Sequence, residues 1–228
     1  MIVTLAEATW PDAASVAADA LLAVPLGSTE QHGPHLPLST DTDIAAALAD
    51  ALGHARPGVT VAPALPYGSS GEHAGFAGTL SIGQDALELT LVELCRSATA
   101  TFRRILLINA HGGNAEPLDR AQRRLRADGH DVRAWAPGWA GDAHAGRTET
   151  SLMLTLAPEQ VRKADASAGN VAPVARLLPR LRADGVRAIS PNGVLGDPAG
   201  ASDDEGYELL RAATRDLVTI VDHWQRDA

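Results

Sequence analysis

Residues 103–114 read RRILLINAHGGN: an apolar run, then a histidine, two glycines and an asparagine. Ile105, Leu106, Leu107 and Ile108 in succession fit a strand buried on both faces, as in a parallel sheet. The run stops at His111, and Asn114 stands where it can N-cap a helix. Leu118, Ala121 and Leu125 then recur at helical spacing until Gly129 ends that helix. The predicted unit is strand, loop and helix, with a histidine on the loop.

The same unit recurs on either side. LLAVPLG (21–27) ends in turn chemistry and precedes an Ala-rich helix over Asp41–Leu52; VTVAPAL (59–65) predicts a further strand. The glycine-rich YGSSGEHAGFAGTLSIG reads as a loop, and the stretch from about Gln84 to Phe102 as a long helix. Downstream lie a strand in DVRAWA, a glycine-containing loop, and a short helix in ETSLMLTLAP that Pro158 ends. Ser202 and Glu205 have capping-box spacing and open a last helix reaching about Trp224. Strands alternating with helices predict an α/β fold, a three-layer α/β/α sandwich around a mostly parallel sheet. No repeat, low-complexity tract or linker interrupts the 228 residues, so a single domain is expected.

Composition narrows the function. With 19 Lys+Arg against 28 Asp+Glu, the net charge of −9 argues against nucleic acid or an anionic membrane as the main partner. Arg120, Arg123, Arg124 and Arg126 fall on the helix after His111 and read as its solvated face. Aromatics are only 4%, so Ala, Leu and Val must build the core. Cys95 is the only cysteine and sits in an apolar helical stretch, which excludes an intrachain disulfide and predicts a packing role. Neither a basic region followed by an apolar run nor about 18 uninterrupted apolar residues occurs, so a soluble, cytoplasmic protein is expected.

In parallel sheets the chemistry collects at the carboxyl ends of strands. There this chain places its ligand-type side chains. After the 21–27 strand comes STEQHGPHLPLSTDTD, in which Glu30 and His32 are two apart; in extended backbone they project to one side. Asp41 and Asp43 follow at the start of a helix, where Asp43 reads as a partner of its N-terminal dipole and Asp41 as a ligand. His111 lies in the loop after the central strand, and Gly112 and Gly113 let backbone approach a bound group there. DAHAGRTETS brings His144 and Glu149 together before the short helix. Glu30, His32, Asp41, His111 and Glu149 form an oxygen and nitrogen set without sulfur. Such a set suits Zn²⁺, Fe²⁺ or Mn²⁺, and a carboxylate like Asp41 can bridge two ions. Two ions about 3.5–4 Å apart lower the pKa of water to about 7, which suits amide hydrolysis. A phosphate-binding G-x-x-x-x-G-K-[ST], a G-x-S-x-G elbow and a helical H-E-x-x-H are all missing from the sequence.

The three stretches LGSTEQHGPHLPLSTDTDIA, NAHGGN and HAGRTETSLML resemble, in order and spacing, the creatininase family of metal-dependent amidohydrolases. The likeness runs from about Leu21 past Gly200 and implies a creatininase-like fold. The segments PYGSSGEHAGFAGTLSIG, SAGNVAPVARLLP and AISPNGVLGDPAGAS are similar to a subgroup of peptidases that removes the last two residues of a radical-modified precursor peptide. The resemblance implies that Glu30, Asp41 and His111 bind one ion, and His32 with the shared Asp41 a second. It implies Fe²⁺ and/or Zn²⁺, with Mn²⁺ a further candidate, and a homo-oligomer, often a hexamer in the family. His144 matches a histidine beside the scissile bond, which implies proton transfer or carbonyl polarisation. His73 matches a loop bordering the pocket and is a candidate substrate contact, with a structural role as the alternative; His35 reads as structural or as an orienting partner.

Two departures stand out. Creatininase carries a further carboxylate two residues after the histidine matching His111, and here that position is Gly113. Glu149, the spare carboxylate of a matching motif, is expected to fill that place and to join both metal binding and catalysis. The stretch from Trp135 and Trp139 to His144 is also short, which suits a mouth open to a peptide rather than one closed over a small ring. The peptide surface is expected near Tyr67–Gly78 and Gly193–Gly200. The alternatives are a creatininase-type hydrolase of creatinine or of a small formamide or cyclic amide, and a non-catalytic scaffold, which would be expected to lose a ligand.

Overall fold

A computed structural model of the chain describes residues 3–15, 20–139 and 141–226. In chain order the elements are β1 (Val3–Thr4), α1 (Trp10–Ala14), β2 (Leu21–Leu26), α2 (Thr40–Ala55), β3 (Val59–Val61) and α3 (Gln84–Ala98). There follow β4 (Arg104–Asn109), α4 (Ala115–Ala127), β5 (Asp131–Trp135), α5 (Arg147–Leu156), α6 (Val174–Asp184), α7 (Val186–Ile189) and α8 (Asp203–Arg226). The five strands form one sheet in the order β1-β3-β2-β4-β5, and every pairing is parallel.

Alternation along the strands divides the core between the two faces. On one face Leu21, Ala23, Leu106 and Ile108 pack with Ile44 and Leu48 of α2, Leu152 of α5 and Leu217 and Val221 of α8. On the other face Leu22, Val24, Ile105 and Leu107 pack with Leu87, Leu91 and Cys95 of α3 and Leu118 and Leu125 of α4. The result is the three-layer sandwich that the order of strands and helices implied. Cys95 is buried as expected, and that burial pushes its thiol up to about 12. Leu107 lies on the long β2–β4 pairing and is fully buried. Leu107→Ala should destabilise the fold by about 2–5 kcal/mol, read as a lower urea midpoint at unchanged slope. A shift corresponding to less than about 1 kcal/mol would mean that this layer closes around the lost side chain.

Boundaries differ from expectation where the backbone turns early. α3 ends at Ala98, and Phe102 is reached through a turn in which its N–H donates to the Ala98 carbonyl. Asn114 occupies the cap position of α4 but makes no side-chain cap. Its amide nitrogen donates to the Gly27 carbonyl and Asn109 Oδ1 at 3.0 and 3.1 Å, and its Oδ1 accepts the Ser69 N–H at 2.9 Å. One side chain thereby ties the ends of β2 and β4 to the loop after β3. Ser202 does cap α8, while Glu205 turns away to pair with Arg147. Of the arginine face on α4, Arg123 stays exposed beside Asp119, whereas Arg120 binds Glu88 and stitches α4 to α3.

Strand order positions the site. From β2 the chain moves outward to β3 and then returns to lay β4 on β2's other side. The loops leaving β2 and β4 therefore part, and a crevice opens between them. A smaller cluster of Leu177, Val186, Ile189 and Leu195 carries α6 and α7 to the rim of that crevice.

Candidate metal centre

Each ligand-type side chain is held by an element whose position the sheet dictates. Glu30 and His32 follow β2 and are fully buried; Asp41 sits in the first turn of α2 and is 1% exposed. His111 leaves β4, its backbone pinned by Asn109, which donates to the His111 carbonyl at 2.8 Å. His73 ends a short 3-10 turn, Gly71–His73. Before α5, Ala145 adopts φ 52, a left-handed conformation rare for a residue with a Cβ. That bend turns the His144 ring inward and lets the Ala145 N–H donate to Glu149 Oε2.

The buried set converges around Asp41. Its Oδ1 lies 3.1 Å from His32 Nε2 and its Oδ2 3.3 Å from His111 Nδ1. His111 Nε2 is 3.2 Å from Glu30 Oε2, and Glu149 Oε2 is 3.8 Å from His32 Nε2. Three groups have the spacing of a metal site: Glu30, Asp41 and His111; His32, His144 and Glu149; and Glu30, His73 and His144. The sequence-derived candidates thus come together in one cluster. His35 stands aside, its Nε2 on Thr150 Oγ1 at 2.9 Å, a supporting position.

The electrostatics are those of a site built for cations. Burial raises the Glu30 carboxyl to about 8 against the pull of His111. Burial alone would depress His32 and His111, but Asp41 and Glu30 override it and push both up to about 10. Asp41, despite the same burial, is held well below the usual carboxylate range by those two imidazoles. Glu30 Oε1 and Oε2 and Asp41 Oδ2 are buried without an aligned hydrogen bond. Buried carboxylate oxygens left so are costly, and a divalent cation is the partner that oxygen and nitrogen donors of this kind accept. The residues fit a metal.

His144 and His73 differ from the other imidazoles. Burial and the neighbouring histidines drive His144 well below its ordinary value and His73 to about 3, so both are neutral at pH 7. His144 Nε2 donates to the Gln31 carbonyl at 2.7 Å, which leaves Nδ1 as a lone pair facing Glu30 Oε1 at 3.7 Å. The Gln31 amide donates to His73 Nδ1 at 2.8 Å, so the His73 proton is on Nε2, 3.2 Å from Glu30 Oε1. Gln31 was not foreseen. Strand alternation sends it away from Glu30 and His32, yet the tight turn at Gly33 (φ 63) folds it back between the two neutral histidines.

A cavity of about 760 Å³ opens onto the cluster. Glu30, Asp41, His111, His144 and Glu149 line its floor, and Val174, Leu178 and Leu181 of α6 form an apolar wall. The expected surface near Tyr67–Gly78 and Gly193–Gly200 contributes only Ser69, residues 71–74 and Leu195. The α6–α7 wall was not anticipated, because its apolar residues read in sequence as an ordinary amphipathic helix.

A family model described as "Creatininase: Creatinine amidohydrolase" matches residues 6–221. The chain belongs to the creatininase family. Among curated creatininase-family relatives, the "Mycofactocin precursor peptide peptidase" of Mycobacterium ulcerans (strain Agy99) is 49% identical over 225 residues, covering 95% of this chain and 86% of that one. The "Creatinine amidohydrolase" of Pseudomonas putida is 32% identical over 192 residues, covering 70% and 74%. Solved creatininases superpose over 98% of both chains at 27% identity; a Zn–Zn form of a variant gives a TM-score of 0.82 and a form described as "Creatininase Mn" gives 0.80. As a creatininase-family protein this chain is a hydrolase of amide bonds, and its buried imidazoles and carboxylates are a set that could bind a metal.

Proposed function

We propose that residues 1–228 form one domain that hydrolyses the modified mycofactocin precursor peptide at the amide bond before its C-terminal Val-Tyr-derived unit. The reading assigns Glu30, Asp41 and His111 to one divalent ion and His32, Asp41 and Glu149 to a second, as Fe²⁺ and/or Zn²⁺ with Mn²⁺ a further candidate. One observation carries the pairing: the two oxygens of Asp41 face different imidazoles, Oδ1 toward His32 and Oδ2 toward His111. The peptide assignment rests on the 49% relative and on a cavity whose apolar α6 wall suits a hydrophobic peptide end. We carry over a homo-oligomer, with a hexamer as its expected size, from the family likeness, and a cytoplasmic location from the reading of the sequence. Among the described residues no helix is long and apolar enough to cross a membrane.

When bound, the ions polarise the amide carbonyl and make water available as a nucleophile near neutral pH. The protein's part is positional. Glu30 and Asp41 hold the negative charge that fixes the cations, and their burial keeps bulk water from screening it. His144 presents Nδ1 to the site and can take a proton there and return it to the leaving amine. The Gln31 carbonyl fixes its tautomer. His73 presents a proton on Nε2 at the cavity floor, where it can donate to a substrate carbonyl.

The reading is tested by mass spectrometry of the decarboxylated, cross-linked precursor after incubation with the Fe²⁺- or Zn²⁺-loaded chain, with Glu30→Ala as control. Release of the two-residue fragment by the intact chain alone supports it. An intact precursor at full metal occupancy sends the substrate to creatinine or a small formamide or cyclic amide, for which the 32% relative is the weaker support. For Glu149, substitution by Gln should weaken one ion about 10–100-fold and leave the other, measured by zinc competition against a chelating dye. Wild-type affinity for both would remove Glu149 from the ligand set.

A further inference from the structure

We propose that Glu72, in the turn before His73, is a fourth protein ligand of the ion held by Glu30, Asp41 and His111. The inference rests on the two-ion reading above and adds a residue to it. Gly113 supplies the first observation: a Cβ there would collide with Glu72 Oε1, His111 Nε2 and the Ser69 carbonyl oxygen. The space where a side chain at position 113 would begin is already taken by the Glu72 carboxylate. Glycine at 113 is thus what lets Glu72 reach the cluster.

The second observation is the surroundings of that carboxylate. Its Oε1 lies 3.8 Å from His111 Nε2, and among the described residues no Lys or Arg pairs with it and no hydrogen bond fixes it. It lines the same cavity as Glu30, Asp41 and His111. Three carboxylates therefore surround one imidazole, Glu30 and Glu72 at Nε2 and Asp41 at Nδ1. The third observation is that Glu30 Oε1 and Oε2 and Asp41 Oδ2 are buried with no hydrogen bond of their own. A further anion placed beside such groups is repulsive without a cation between them. With the ion present, Glu72 adds a fourth protein donor to a three-residue site, and the access of such ions to five-coordination leaves a place for water.

Glu149 is elsewhere. It faces His32 and is held by the Ala145 N–H, so it is poised for the other ion. The two carboxylates divide the labour, one per ion.

The test is a Zn²⁺ titration of chelator-stripped protein, with ions per chain counted by native mass spectrometry and affinities read by competition. Glu72 is partly exposed at the cavity rim, so the isosteric Glu72→Gln should fold, and circular dichroism checks it. Glu72→Gln is expected to weaken one of two ions at least about tenfold. Glu72→Gln with Glu149→Gln is expected to weaken both. If wild type and Glu72→Gln bind two ions with equal affinity, the inference is overturned and the two-ion reading stands. A wild-type chain that takes up no zinc overturns both.

Discussion

Asp41→Ala is expected to strip both ions from the chain and to lower hydrolysis by at least about 10³-fold, since metal polarisation contributes several kcal/mol and each 1.36 kcal/mol is tenfold in rate. The expectation follows from position. Asp41 faces His32 through Oδ1 and His111 through Oδ2, one imidazole from each proposed ion, and all three residues are buried. Removing it takes a donor from each proposed ion, deprives His32 of its main counter-charge and leaves His111 with Glu30 as its nearest counter-charge. Asp43, the next acid on α2, is engaged with Ser39. Metal analysis, turnover and circular dichroism on one preparation decide the matter. Two ions per chain with normal turnover would remove the bridging role; loss of the circular dichroism signal would call for Asp41→Asn as the milder probe.

His144→Ala should fall by about 10²–10⁴-fold in kcat, the usual worth of a positioned proton carrier, while both ions remain. His144 is neutral, anchored through Nε2 to Gln31 and open at Nδ1. The assignment predicts little change in KM, since the ring need not hold the substrate. An alternative lies in the geometry itself, because His144 has ligand spacing to His32 and Glu149. Metal analysis separates the two: ions retained with a low kcat indicate proton transfer, and an ion lost with the ring makes His144 a ligand. Turnover within about threefold of wild type would exclude both roles.

Much of this was legible in the chain. The strands announced themselves because strands buried on both faces need unbroken apolar runs, as in Leu21–Leu26 and Arg104–Asn109. The candidate site was legible because Glu30, His32, Asp41 and His111 stand on segments that follow parallel strands, and such positions have no apolar face to fill. What stayed hidden depended on chain segments meeting in space. Glu72 precedes His73 in a glycine-rich loop, and nothing local says that its carboxylate reaches Gly113. Gln31 was hidden by the very alternation that revealed Glu30 and His32, because the turn at Gly33 reverses it. Asn114 looked like a cap, since the cap position is local while its partners Gly27 and Ser69 are remote. β1 is two residues long, too short to carry a periodic pattern.

The donors of the proposed site come from the segment after β2, the first turn of α2, the loop after β4 and the start of α5, so no single loop holds them all. An unfolded chain offers scattered acids and imidazoles with little affinity for a cation, and every ion taken up counts toward the folded form. At a free ion concentration a hundred times the dissociation constant, that linkage adds about 2.7 kcal/mol per site, a sizeable part of an ordinary domain's margin against unfolding. On the two-ion proposal, the supply of metal would govern how long the molecule survives as well as how fast it works, and starvation for the ion would deplete the protein itself.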